Sequence, residues 1–226
     1  MITLLQINTV SDSITNPEIT EKTLSVVDLI TSGGIGGNLV MGALGILSIF
    51  AIYILIERYS TIKKASQEDE TFLKSIQNFV ESKDIEAAKT LCRNTDSPIS
   101  RMIEKGVNRI EKPMTDISSA IENQGKLEVN KMENNLANLA TISGAAPMIG
   151  FLGTVIGMIV AFHEMASAGG NIDVEMLSKG IYTAMTTTVA GLVVGIIAFI
   201  AYNYLVSKVD KVVFMLEAKT TEFLDL

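Results

Sequence analysis

The chain has 226 residues, 48% of them hydrophobic and 19% charged, with a net charge of −7 and one cysteine. That balance excludes a basic surface tracking a nucleic-acid backbone, and the lone Cys92 excludes a disulfide framework or a cysteine-based metal site. The hydropathy pattern argues against a soluble domain: Leu29 to Ile56, Asn134 to Phe162 and Gly180 to Ser207 carry no charge, and each can cross about 30 Å of hydrocarbon at about 1.5 Å per helical residue.

In chain order, residues 1–32 read as a periplasmic segment. Met1 to Ile7 is a short apolar run with no Lys or Arg before it, so it lacks the charged start of a secretory signal and is expected to stay in the mature protein. Leu24, Val27 and Ile30 predict a short interfacial amphipathic helix before Gly33-Gly34. Residues 33–57 form the first span, with Leu39 to Ile56 as its apolar heart and Glu57-Arg58-Tyr59 closing it where cationic and aromatic anchors belong.

Residues 58–135 read as a cytoplasmic helical region. Phe72, Leu73, Ile76, Phe79 and Val80 keep helical spacing. Asp84 can cap a helix carrying Ala87, Ala88, Leu91 and Cys92, and Asp96-Ser97-Pro98 starts another with Ile99, Met102, Ile103 and Val107 on one face. Cys92 reads as a small apolar helix residue. After Lys112-Pro113, Thr115 or Asp116 is expected to cap a helix running unbroken into the second span, since no proline interrupts Ile117 to Ile142 and only Gly125 weakens it. The second span is 136–163, followed by a periplasmic loop over 164–179, the third span over 180–206, and a cytoplasmic helix over 207–226 bearing Val206, Val209, Val213 and Leu216 in a stripe. These stripes are expected to pack together in one small helical domain. His163, the single histidine, sits beside Glu164 at the end of the second span and reads as an interfacial polar residue. The fold class is thus all-α membrane protein, with three transmembrane helices, the second and third extended into the cytoplasm, and a helical cytoplasmic loop.

Orientation follows from the flanking cations. Arg58, Lys63 and Lys64 follow the first span, Lys126 and Lys131 precede the second, and Lys208 and Lys211 follow the third; the other side offers Lys22 and Lys179. The positive-inside rule puts the N-terminus in the periplasm and the C-terminus in the cytoplasm.

Inside the membrane the polar and small residues are the informative ones. Gly150, Gly153 and Gly157 make the second span smooth enough for a backbone to approach closely, and Pro147 frees a carbonyl one turn earlier. The third span carries Thr183, Thr186, Thr187 and Thr188, then Gly191 and Gly195. Any one threonine can simply bond back to its own helix, but the cluster is over-polar for helices facing lipid on all sides. No Asp, Glu, Lys, Arg or His lies in the interior of a span. A proton relay in the bilayer needs an ionisable group, so if this chain conducts protons, another polypeptide brings the acid. A rival reading is a non-conducting scaffold whose polar spans only pack helices. The spans offer no Ser/His pair, Asp pair or metal set, which argues against an enzyme.

Ala145-Ala146-Pro147-Met148-Ile149-Gly150-Phe151-Leu152-Gly153-Thr154-Val155-Ile156-Gly157 resembles the second-helix signature of the MotA/TolQ/ExbB proton channel family, nearest to ExbB and next to TolQ. Thr187-Thr188-Val189-Ala190-Gly191-Leu192 with Tyr202-Asn203 is similar to the third-helix signature, and Val27-Asp28-Leu29 and Ile56-Glu57-Arg58 match around the first span. The resemblance implies an inner-membrane homo-oligomer, a pentamer, whose second and third helices line a pore around single helices of an ExbD-like or TolR-like partner carrying a proton-accepting Asp. It implies a TonB-like or TolA-like energy transducer as a further partner, membrane lipids around the complex, and no cofactor. Carried over by residue, Thr154 and Thr188 match the pore-lining threonines, with Thr183 and Thr187 beside them on the proton pathway, and Gly150, Gly153, Gly157, Gly191, Gly195 and Pro147 in helix packing. Two positions depart from the pattern: Thr183 stands where studied members carry Glu, and Ile197 where they carry Pro, which predicts less bending of the third helix. MotA-like stators have a further membrane helix that this chain lacks.

Overall fold

Among the described residues, several helix joints can be traced to the residue that caps or ends the hydrogen-bond ladder. The computed structural model describes residues 34–66, 70–167 and 174–225, so the expected interfacial helix around Leu24 to Ile30 lies outside the described residues. Those described form helices throughout: α1 Gly34–Ala65, α2 Glu70–Glu81, α3 Ile85–Asn94, α4 Pro98–Val107, α5 Met114–Glu133, α6 Leu136–Ser167 and α7 Val174–Leu224. Asp84 caps α3 by accepting from the Ala87 N–H at 3.1 Å, which satisfies one of the orphan donors of a helix start. Ser97 caps α4 in a reciprocal pair with Ser100, with Pro98 in the first helical turn where its missing N–H costs nothing.

Two expectations are corrected here. Neither Thr115 nor Asp116 caps α5: the helix starts at Met114 behind Pro113, without a side-chain cap. The Pro113 carbonyl accepts from the Asp116 and Ile117 amides, and this starts the turn. Asp116 instead lies inside the first turn, where its charge complements the helix dipole. Nor is the helix continuous into the second span. Asn134 is extended (φ −51°, ψ 139°) and Asn135 is left-handed (φ 63°), separating α5 from α6. Asparagine tolerates that conformation better than most residues, and the Asn135 side-chain oxygen accepts from Asn138 at 3.3 Å.

Three stretches are long and apolar enough to cross a membrane: Gly36–Ala65, Met114–Ser167 across the asparagine joint, and Leu177–Leu224. Helices α6 and α7 make the most extensive contact in the fold, and α1 packs against both. Their outer faces carry exposed Ile46, Ile49, Phe151, Ile159, Phe199 and Ile200, side chains that belong in lipid or against other subunits. Beyond the spans, α2 packs on α3, α3 on α4, α4 on α5, and both α4 and α5 on α7. One continuous core joins Ile62, Phe72, Ile76, Ala88, Ile103, Ile121, Leu205, Val209, Leu216 and Phe223. The amphipathic stripes therefore bury one another, which is the hydrophobic economy a small helical domain requires. Cys92 belongs to this core; burial, with the Glu104 charge adding to it, pushes its thiol up to about 12, so it is not a thiolate at neutral pH.

A polar cluster locks α4 to α5. Glu128 is 2% exposed and its carboxylate accepts from Arg101 Nε at 3.0 Å and Nη2 at 2.8 Å, from Lys131 at 2.9 Å and from Gln124 at 2.7 Å. Burial alone would raise its pKa, but the hydrogen bonds from Arg101 and Lys131, the Arg101 charge and the Gln124 amide outweigh it and hold the carboxyl below its ordinary value. A folded-state pKa below the unfolded one contributes stability at neutral pH that is lost as the pH falls through the ordinary value near 4.5 and on through the lowered one. Arg101→Ala removes two of the four hydrogen bonds on a buried carboxylate, leaving those from Lys131 and Gln124, and is expected to cost roughly 1–3 kcal/mol at pH 7. Glu128→Gln is expected to cost less, because the cations it releases reach water. Thermal melts in detergent at pH 7 and pH 4 check this: the Arg101→Ala deficit should shrink in acid, and a larger deficit for Glu128→Gln would contradict it.

Candidate functional site

The site begins with small residues that recur every three or four positions on two antiparallel helices. On α6 these are Ala146, Gly150, Gly153, Gly157 and Ala161; on α7 they are Gly180, Ala184, Thr187, Gly191 and Gly195. A Cβ added at Gly150 would lie 2.8 Å from the Thr187 carbonyl oxygen and 3.1 Å from the Gly191 Cα. One added at Gly157 would lie 3.0 Å from the Ala184 Cβ, and one at Gly195 would lie 2.6 Å from Pro147 and 3.0 Å from the Ser143 carbonyl. The two backbones thus run in near contact along the seam, the geometry that small residues permit between membrane helices. Helix α1 closes one side: Val40 reaches the Gly153 position within 3.1 Å, and Gly36 leaves room for Ile156. Pro147 sits inside α6, where its ring cannot donate to the ladder, and the freed turn faces Gly195.

The threonines fall into two pairs around this seam. Thr183 (7% exposed) and Thr187 (1% exposed) are buried. The Thr183 methyl packs 3.3 Å from where a Gly37 Cβ would stand, and the Thr187 hydroxyl donates to the Ala184 carbonyl at 2.7 Å and the Gly150 carbonyl at 3.3 Å. Thr154 and Thr188 are half-buried. Thr188 donates across the seam to the same Gly150 carbonyl at 3.1 Å, and Thr154 donates to the Phe151 carbonyl in its own helix. Thr187, Thr188 and Thr154 therefore converge on one turn of α6, since the α-helical ladder also aims the Thr154 amide at Gly150, while Thr183 packs against α1. A hydroxyl has one donor and two lone pairs. With each donor held by a backbone carbonyl, what Thr154 and Thr188 can offer a newcomer is acceptor capacity.

Sequence reasoning named the glycines and threonines but missed their opposite numbers. Gly180 faces Ala161, and Gly191 faces the Ala146 carbonyl. The signal was present: one further turn from Gly150 and Gly157 on α6 reaches Ala146 and Ala161, and the same spacing continued back from Gly191 through Thr187 on α7 reaches Ala184 and Gly180. His163 is exposed at the far end of α6. Among the described residues no group of His, Cys, Asp or Glu is arranged to hold a metal.

The geometry is that of a membrane hairpin sealed by a glycine seam, with threonine hydroxyls meeting one level of it. Residues 94–218, more than half of the chain, match the MotA/TolQ/ExbB proton channel family, and the chain belongs to that family. This is a proton channel family and not an enzyme family. The chain is 26% identical over 187 residues to an ExbB homolog of Methanothermobacter thermautotrophicus, covering 82% of this chain and 64% of that one. It is 40% identical over 79 residues to the biopolymer transport protein ExbB of Helicobacter pylori, covering 35% and 54%. It is 35% identical over 85 residues to the Tol-Pal system protein TolQ of Haemophilus influenzae, covering 38% and 37%. The chain thus spans less than two thirds of the length of each of these relatives.

Proposed function

We propose that the chain is the pore-forming subunit of a proton-driven motor in the inner membrane, ExbB-like in role, with its N-terminus in the periplasm and its C-terminus in the cytoplasm. Copies of the α6–α7 hairpin, five by the family resemblance, surround single helices of an ExbD-like partner. The observation that carries this reading is chemical: hydroxyl acceptors at Thr154 and Thr188 stand at one level between two charge-free stretches, Asn134 to Phe162 and Gly180 to Ser207. A protonated carboxylic acid on a guest helix would donate to those oxygens; once ionised it would lose that donor and prefer water or a new neighbour. That difference lets the two protonation states favour different positions of the guest helix. The membrane potential supplies about 2.3 kcal/mol per charge per 100 mV to drive the cycle. Thr183 and Thr187 back this wall from behind the seam, and Gly150, Gly153, Gly157, Gly191, Gly195 and Pro147 hold the hairpin together. The motion would pass to a TonB-like transducer that energises outer-membrane transport. The TolQ relative favours a second assignment within the same mechanism, with TolR-like and TolA-like partners serving envelope integrity.

Assembly tests the reading. Co-expressed with a single-span protein bearing an intramembrane Asp, the chain should purify as a complex whose native mass corresponds to five copies around two partner helices. Purification as a monomer that never retains the partner would overturn the proposal.

A further inference from the structure

Where α1 and α7 leave the membrane, a cavity of about 360 Å³ opens between them, lined by Tyr59, Ile62, Lys63, Ser66, Leu205, Lys208 and Lys211. We propose that this cleft is a binding site for the phosphate headgroup of an anionic phospholipid of the inner leaflet. The inference rests on the membrane-spanning placement of α1 and α7 and is independent of proton conduction.

Depth comes first. Tyr59 and Tyr204 stack with ring centroids 6.4 Å apart, and paired tyrosines on neighbouring spans mark the level at which hydrocarbon gives way to headgroups. One turn toward the membrane interior, Ile56 and Ile200 are each 62% exposed, an apolar flank of the sort acyl chains cover. One turn the other way stand Lys63 and Lys208, with Lys211 about a turn beyond. A helical turn is about 5.4 Å and the headgroup layer is of the order of 5–7 Å thick on each side, so these ammonium groups sit at the level of lipid phosphates.

Charge comes second. Among the described residues none of the three lysines makes an ion pair, although eight such pairs occur elsewhere in the protein. Lys208 lies 5.5 Å above the Tyr204 ring, which orients it over the cleft's aromatic edge without neutralising it. Three unpaired cations converging on one cavity repel one another, and an anion relieves that repulsion. Shape comes third. Below the charged rim, the cavity includes the buried side chains Ile62 (3% exposed) and Leu205 (0% exposed). These suit the glycerol end of an amphiphile and give a free phosphate ion nothing to bind. Basic pockets between membrane helices on the cytoplasmic side hold anionic headgroups in this manner.

The full chain, purified in detergent and incubated with dioleoyl phosphatidylglycerol or dioleoyl phosphatidylcholine, is washed and its retained lipid quantified by mass spectrometry. Phosphatidylglycerol should be retained and phosphatidylcholine washed away. Each of Lys63→Gln, Lys208→Gln and Lys211→Gln should weaken retention about fivefold, and the triple variant on the order of a hundredfold. The triple Lys→Arg variant should retain phosphatidylglycerol as the parent does. Equal retention of the two lipids by the parent, or undiminished phosphatidylglycerol on the triple Gln variant, would overturn the proposal. Displacement of the lipid by millimolar inorganic phosphate would also overturn it, since the site would then read a soluble anion.

Discussion

Gly191→Val is expected to spring α6 from α7 and to lower the thermal midpoint of the purified protein by roughly 10 °C. The reason is that the atoms nearest the missing side chain are backbone atoms. A Cβ at position 191 would lie 2.6 Å from the Ala146 carbonyl oxygen and 2.9 Å from the Gly150 Cα, and no rotamer change relieves either contact. Overpacking of this kind costs about 1–3 kcal/mol. Parting the helices also removes the Thr187 and Thr188 hydrogen bonds to Gly150, worth about 1 kcal/mol each, and several kcal/mol in a chain of this length shifts the midpoint by roughly that many degrees. Gly144→Ala serves as the control. A Cβ there meets nothing within 4 Å, and alanine is the better helix former by up to about 1 kcal/mol. Calorimetry or far-ultraviolet circular dichroism in detergent reads both. Equal midpoints for the two variants would show that the seam does not hold the hairpin together.

The second large effect concerns conduction. Thr154→Val and Thr188→Val keep side-chain volume and branching but remove the hydroxyl. Structurally the loss is small: Thr154 bonds only within its own helix, and the Gly150 carbonyl keeps Thr187 when Thr188 is lost. If these oxygens accept from a protonated guest acid, each substitution should reduce partner-dependent proton flux by up to about tenfold, the equivalent of one neutral hydrogen bond of about 0.5–1.5 kcal/mol. Thr188→Ser, which restores the oxygen, should recover most of the flux. Flux equal to the parent in both Val variants would remove the threonines from the pathway.

The fold was legible where single residues act locally. Asp84 and Ser97-Pro98 cap because their side chains and φ angles satisfy orphan backbone groups within a few residues, and three charge-free stretches announce three spans whatever their neighbours do. It was illegible where tertiary context decides. Asn134-Asn135 looked permissive of helix, and nothing in the neighbouring residues signals that the chain turns there through a left-handed asparagine. Glu128 is one of many acids in an amphipathic helix; its burial depends on Arg101 arriving from α4, a contact between residues far apart in sequence. The site divides along the same line. Small residues at helical spacing mark a close-packed face from sequence alone, but which threonine turns inward depends on the seam's register. That register buries Thr183 and Thr187 and leaves Thr154 and Thr188 half-open. Thr183, packed against Gly37, fills an interhelical contact.

Proton uptake into liposomes under an imposed potential is the most direct measurement. The chain reconstituted alone should pass protons no faster than empty liposomes, because the interior of its spans holds hydroxyls and glycines and no Asp, Glu, Lys, Arg or His. Adding a single-span partner with an intramembrane Asp should open a flux that Asp→Asn in the partner abolishes. A flux of the same size from the chain alone would mean that it carries its own proton relay.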